Sequence, residues 1–236
     1  MFMTPKQKLI NYKKNYGFTL IELMIAISIL SLLLFTGSYS YSIISERWNK
    51  ELGNYSKSSN DIKNLERTQR LLEGIQPFVV VDSKSKPSFF FIGDKDSLLA
   101  VSRAGLFSNE FPEVFRFTSI KNKNNLFDLV YQSRSTEGFL LLGTEQSIEF
   151  TNQITLFENL DSIVFNYFGW SSITVKNFSS NEGQQPKWFD KFSGIDNQLM
   201  PDKIIISLVR EESTLSFPIF LESDSEHWLS PYLSEN

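Results

Sequence analysis

The chain has 236 residues, 41% of them hydrophobic, a formal charge of −4 and no cysteine. That length holds a membrane stem plus one globular domain, and the missing cysteine excludes a disulfide scaffold and thiolate chemistry. The acidic balance does not favour nucleic acid or anionic lipid as a partner.

The first segment, Met1 to Tyr16, carries Lys6, Lys8, Lys13 and Lys14 and no acid. Excess lysine beside an apolar run marks the cytoplasmic side, so everything after that run faces outward. From Phe18 to Phe35 the only ionisable residue is Glu22. About 18 helical residues at about 1.5 Å each nearly match a hydrocarbon core of about 30 Å. A carboxylate at the centre of such a helix costs about 2.5–3.5 kcal/mol and less near its end, so Glu22 asks for a cationic partner. The same stretch also fits a secretory signal peptide cut near Thr36-Gly37-Ser38, or an uncleaved signal anchor.

Gly17-Phe18-Thr19-Leu20-Ile21-Glu22 behind a basic leader resembles the class III signal of type IV pilins and type II secretion pseudopilins. The resemblance implies cleavage by a prepilin peptidase between Gly17 and Phe18, and N-methylation of Phe18. It also implies that Glu22 meets the Phe18 amine of a neighbouring subunit and sets register during assembly. The implied fold is α+β and pilin-like: a leader over residues 1–17, a stem helix over 18–76 with a membrane segment at about 18–36, and a β-rich periplasmic domain over 77–236.

Further along, Ile44, Trp48, Leu52, Tyr55, Ile62, Leu65 and Leu72 recur at helical spacing, and this stripe is expected to pack on the domain. No proline interrupts the segment from Gly17 to Pro77, while Gly37, Gly53 and Gly74 each weaken the helix by about 1 kcal/mol. Short apolar runs then read as strands: 77–81, 89–92, 98–101, 114–117, 126–131, 138–142, 153–157, 163–168, 203–209 and 215–221. The runs 126–131 and 138–142 are expected to form a hairpin with a longer loop.

Residues 169–202 read as a long loop rich in Ser, Asn, Gly and Gln, with Trp170 and Trp188 as candidate partner anchors. A strand ending in an aromatic, a tryptophan-bearing loop and a proline entering an apolar strand resemble the J-type minor pseudopilin over the C-terminal third. That resemblance implies a structural subunit at or near the tip of a type II secretion pseudopilus, with I- and K-type minor pseudopilins, the major pseudopilin and the inner membrane as partners. A minor pilin of a type IV pilus is the alternative within the family, and a single-pass anchored binding module or hydrolase the alternative outside it.

Catalysis finds little support in the sequence. His227 is the only histidine and stands beside Trp228, and no phosphate loop, triad signature or zinc helix is present. Asp94 and Asp96 open no calcium loop, because apolar residues follow and no bidentate Glu stands at loop spacing; they read as a turn. The sequence therefore predicts a non-enzymatic subunit without metal or cofactor.

Overall fold

The computed structural model describes residues 17–82, 86–108, 110–182, 184–211, 213–222 and 224–233, apart from the side chains of 49–58 and 179–182. The leader lysines and the side chains of Leu52 and Tyr55 lie outside the described residues. The chain divides into two compact units, Met1–Lys57 and Ser58–Asn236, and each is described by itself. One helix, α1 (Leu20–Glu73), supplies the body of the first unit and the opening of the second.

In the first unit every residue from 17 to 44 is exposed, on all faces of the helix. A helix that is apolar all round needs an apolar surround. Among the described residues, Leu20–Trp48 is the one helical segment long and apolar enough to cross a membrane. Gly37 and Gly53 leave α1 unbroken. Ser28 and Thr36 donate their hydroxyls to carbonyls one turn back, so these two hydroxyls are satisfied within the helix itself.

The second unit continues with β1 (Val79–Val81), β2 (Pro87–Phe89), β3 (Ile92–Gly93), β4 (Ser97–Ser102), β5 (Glu113–Lys121), β6 (Phe127–Ser135), β7 (Asn152–Leu160) and β8 (Ser162–Gly169). Then come α2 (Ile173–Glu182), β9 (Lys187–Phe189), β10 (Phe192–Ser193), α3 (Gly194–Asn197), β11 (Lys203–Arg210), β12 (Ser213–Phe220), a 3-10 turn (Ser225–Leu229) and α4 (Ser230–Leu233). Two larger antiparallel sheets result, in the orders β10-β3-β4-β5-β6-β7 and β12-β11-β8-β9, with β1-β2 as a small third. The protein is thus α+β: a long N-terminal apolar helix followed by antiparallel sheets.

Strict alternation along β8 and β11 puts Ile163, Phe165, Tyr167, Ile204, Ile206 and Leu208 on one buried face. That face shares a core with Leu98, Phe115, Phe117, Leu129 and Tyr131 of the larger sheet and with Leu71 and Leu72 of α1. Aromatics fill its centre, with Phe117 stacked on Phe165 at 6.3 Å and tilted against Tyr131 at 5.6 Å. The helix end is tied down by polar bonds as well: Asn64 donates to the Leu156 carbonyl at 2.6 Å, and Ser102 donates to the Leu71 carbonyl at 2.8 Å. Gly74 ends the helix where a Cβ would stand 2.5 Å from the Ser102 hydroxyl, so a larger residue would displace the hydroxyl that holds the Leu71 carbonyl. Arg210 of β11 bridges Asp61 at 2.5 Å and donates to the Glu158 carbonyl at 2.8 Å, which joins the helix to both sheets.

Three sequence expectations are corrected. Of the stripe residues described in the second unit, Leu65 and Leu72 pack on the core while Ile62 is exposed, so the stripe is not buried along its whole length. Residues 138–142 form no strand: β6 is already flanked by β5 and β7, so no edge is open to them. Instead the Gln146 side chain bonds the Leu140 carbonyl and the Leu142 amide at 2.8 and 2.9 Å, and the Val81 amide of β1 donates to the Leu142 carbonyl at 3.1 Å in a single isolated bridge. Leu141 turns inward, into a smaller cluster with Val80, Phe90, Val101 and Val114, and the half-buried Phe139 packs against it. Residues 169–202, expected as a loop, hold α2, β9, β10 and α3.

Candidate assembly surfaces

At the N-terminus Gly17 and Phe18 precede the helix and are exposed, Phe18 at 86%. A Cβ on Gly17 would meet nothing within 4 Å, so packing does not demand glycine there. α1 begins with a capping box. Glu22 accepts from the Thr19 amide and from the Thr19 hydroxyl, both at 2.9 Å through Oε2, while the Glu22 amide donates back to Thr19 Oγ1 at 3.3 Å. The acid that the apolar run made conspicuous therefore has a partner within its own first turn. Thr19-Leu20-Ile21-Glu22 carries the Thr-x-x-Glu spacing that announces this cap, and the sequence reading missed it. Glu22 Oε1 has no bond to a described residue and remains open to a second donor.

Trp188 and Trp170 are separated by the fold. Trp188 sits within β9 and is 47% exposed, whereas Trp170 follows the end of β8 and is half-buried. The strand register places Trp188 opposite Phe168, Phe168 opposite Lys203, and Lys203 opposite Phe220. One row thus crosses four strands on the outer face of the smaller sheet. Its Trp188 and Phe168 rings lie 5.1 Å apart, and the Lys203 ammonium sits 5.7 Å from the Phe168 ring and 4.6 Å from that of Phe220. Such a row combines broad apolar contact with one cation. Lys203 and Phe220 are strand residues whose alignment no local signal gives.

The remaining candidates have ordinary partners. Asp94 pairs with Lys191 at 2.7 Å and lies with Asp96 at the β3–β4 turn, where the Asp94 amide bonds the Ser97 carbonyl. The hydrogen bond and charge of Asp94 push the exposed Lys191 ammonium upward in pKa. His227 Nδ1 bonds the Asp224 carbonyl, and its ring lies 5.3 Å from that of Trp228. Lys176 of α2 pairs with Glu226 at 2.7 Å and Asp224 at 3.7 Å, anchoring α2 to the C-terminal turn. Burial raises the Asp202 carboxyl; the Lys176 charge opposes that shift, and Glu226 and Asp224 reinforce it. Among the described residues no cluster of three or more His, Asp or Glu is placed to hold a metal ion.

Residues 12–37 match the prokaryotic N-terminal methylation motif. The comparison with curated proteins returns no match. The matched stretch contains Gly17, Phe18, the capping box and the whole apolar run to Phe35, and α1 followed by antiparallel sheets has the pilin-like arrangement. The chain thus carries a type IV pilin-like methylation motif at the start of a helix that, among the described residues, is the one long and apolar enough to cross a membrane.

Proposed function

We propose that the protein is a non-enzymatic assembly subunit, a minor pseudopilin at or near the tip of a type II secretion pseudopilus. The observation that carries this reading is the methylation motif at 12–37, with an exposed Gly17-Phe18 junction and an acid one turn further on. After cleavage Phe18 supplies a cationic amine, and Glu22 keeps one carboxylate oxygen free for the amine of a neighbour. The membrane holds the apolar half of α1 until it transfers among other stems in the fibre. Lipid and fibre core are alternative apolar solvents for the same all-round surface.

On this reading the leader faces the cytoplasm, the anchor lies in the inner membrane and the second unit is periplasmic. Prepilin peptidase, the I- and K-type minor pseudopilins and the major pseudopilin are the partners, with Trp188 and Trp170 as candidate anchors. The test is co-expression of the full chain with I- and K-type subunits, followed by purification in detergent and light scattering. A stoichiometric complex supports the tip role. A chain that ignores both subunits and builds long filaments alone overturns it. Co-purification with minor pilins of a type IV pilus instead selects the other branch of the family.

A further inference from the structure

A sheet edge is an unfinished ladder of backbone donors and acceptors, and folded proteins blunt such edges with charge, brevity or a covering group. Three of the four edges of the larger sheets follow that rule. β10 has two residues and β9 three, the latter with Lys187. In β7 the carbonyls of Leu156 and Glu158 already accept from Asn64 and Arg210.

β12 does not follow it. It is eight residues long, Ser-Thr-Leu-Ser-Phe-Pro-Ile-Phe, with no charged residue, and pairs on one side only, with β11. Pro218 and Ser216 reveal which backbone groups are free. Proline has no N–H to give to a ladder, and the Ser216 and Ser207 hydroxyls stand 2.8 Å apart, as in a pair that exchanges no backbone bond. Thr214, Ser216, Pro218 and Phe220 therefore aim their backbone groups away from β11, and no described residue bonds them.

Beside the same strand lies an apolar groove of about 220 Å³, lined by Ile62, Leu65, Phe157, Leu208 and Leu215, with the Asp61–Arg210 pair at its side. Ile62 and Leu215 are 59% and 42% exposed, so the groove is open to solvent. Leu215 and Phe217 share the inward face of β12, opposite Leu208 and Ile206. A strand added along the edge would set every second side chain next to them, over the mouth of the groove.

We infer that β12 is a strand-addition site, which takes an extended, uncharged segment of another subunit with apolar side chains at alternate positions. This rests on the assembly-subunit reading and adds the surface through which a partner joins. A second copy fits the edge less well. In a two-fold antiparallel pairing both copies of Pro218 forfeit a bond, and in the register centred on Ser216 the ladder runs out at the hairpin that follows Arg210. A foreign strand loses one bond and pairs through Phe220.

The experiment compares the full chain, alone and bound to the I- and K-type subunits, by residue-resolved amide hydrogen exchange. In the complex the amides of Thr214, Ser216 and Phe220 are expected to slow by about tenfold or more, while Leu215, Phe217 and Ile219 are slow in both states. Ser216→Pro removes an outward N–H and is expected to weaken the complex by about tenfold with unfolding unchanged, whereas Ser216→Ala, which keeps that N–H, binds as the parent does. A complex that forms without the alternating protection, or that tolerates Ser216→Pro, overturns strand addition and leaves the assembly reading standing. Concentration-dependent protection of the chain alone assigns the edge to a second copy and overturns the partner proposed here. Absence of any complex overturns the assembly reading and this inference together.

Discussion

Tyr131→Phe isolates one buried hydrogen bond and predicts both a neutral-pH and an alkaline effect. Tyr131 is fully buried, its ring stacked on Phe115 at 5.9 Å and Phe107 at 6.1 Å, and its hydroxyl donates to Glu113 Oε2 at 2.6 Å. Glu113 is itself 0% exposed and among the described residues has one other donor, the Phe107 amide at 3.2 Å. Its side chain lies over Gly105, where a Cβ would come within 2.1 Å. Phenylalanine keeps the ring and leaves a buried carboxylate oxygen without its donor, a loss of about 1.5–3 kcal/mol. For a folded unit of this size that lowers the melting temperature by about 3–12 °C.

The alkaline effect has a definite sign. Burial first, then the Glu113 hydrogen bond and charge, raise the Tyr131 phenol above its ordinary pKa, and burial does the same for Tyr167. Both stay protonated in the folded state while the unfolded phenols ionise near pH 10. Their contribution is whole below about pH 10 and falls above it, by about 1.4 kcal/mol per pH unit for each phenol. Tyr131→Phe should halve the tyrosine part of that slope. The assay is thermal unfolding of the full chain in detergent, followed by near-ultraviolet circular dichroism from pH 7 to 11. A variant within about 0.5 kcal/mol of the parent at pH 7, with the alkaline slope unchanged, refutes the argument.

Mass spectrometry of the mature protein should find N-methylated Phe18 at the amino terminus, and Gly17→Leu should block this maturation without disturbing packing, since nothing lies within 4 Å of that position; an intact Met1 or a start near Ser38 would sink the pilin-like reading. Glu22→Gln retains an oxygen for the Thr19 cap but removes the charge, so it should insert and be processed normally yet enter the fibre poorly, whereas Thr19→Ala should cost about 1 kcal/mol of helix stability and still assemble. Normal assembly of Glu22→Gln would count against pairing with an amine. A double-mutant cycle on Asp61→Ala and Arg210→Ala should give a coupling of about 1–2 kcal/mol, discounted because both side chains are partly exposed, at 32% and 21%. Additivity within about 0.3 kcal/mol would mean that the pair does not hold the helix to the sheet.

The N-terminal third was legible because its signals are local. A basic leader, the Gly17-Phe18 junction, a lone acid and an apolar run long enough for a bilayer all lie within one stretch of chain. Thr19 and Glu22 are three residues apart, so even the unread capping box was written there. Most strands were legible too, as Ile163 to Phe168 and Lys203 to Val209 fall within β8 and β11.

Tertiary structure decided the rest, because those features depend on residues far apart in sequence. The apolar run 138–142 reads as a strand by propensity, but β6 has neighbours on both sides, and Gln146 with one bond from Val81 serves the backbone instead. Residues 173–182, with Ser and Asn in place of strong helix formers, become α2 where Ser172 bonds the Val175 amide and Lys176 reaches Glu226. Propensity differs by only tenths of a kcal/mol per residue, and tertiary context overrides it. The burial of Glu113 against Tyr131, the row from Trp188 to Phe220 and the open edge of β12 exist only once the strand order is fixed. Local sequence specifies which segments extend or coil. Which edge is left unpaired, and which acid is enclosed, follow from the global packing that closes every other alternative.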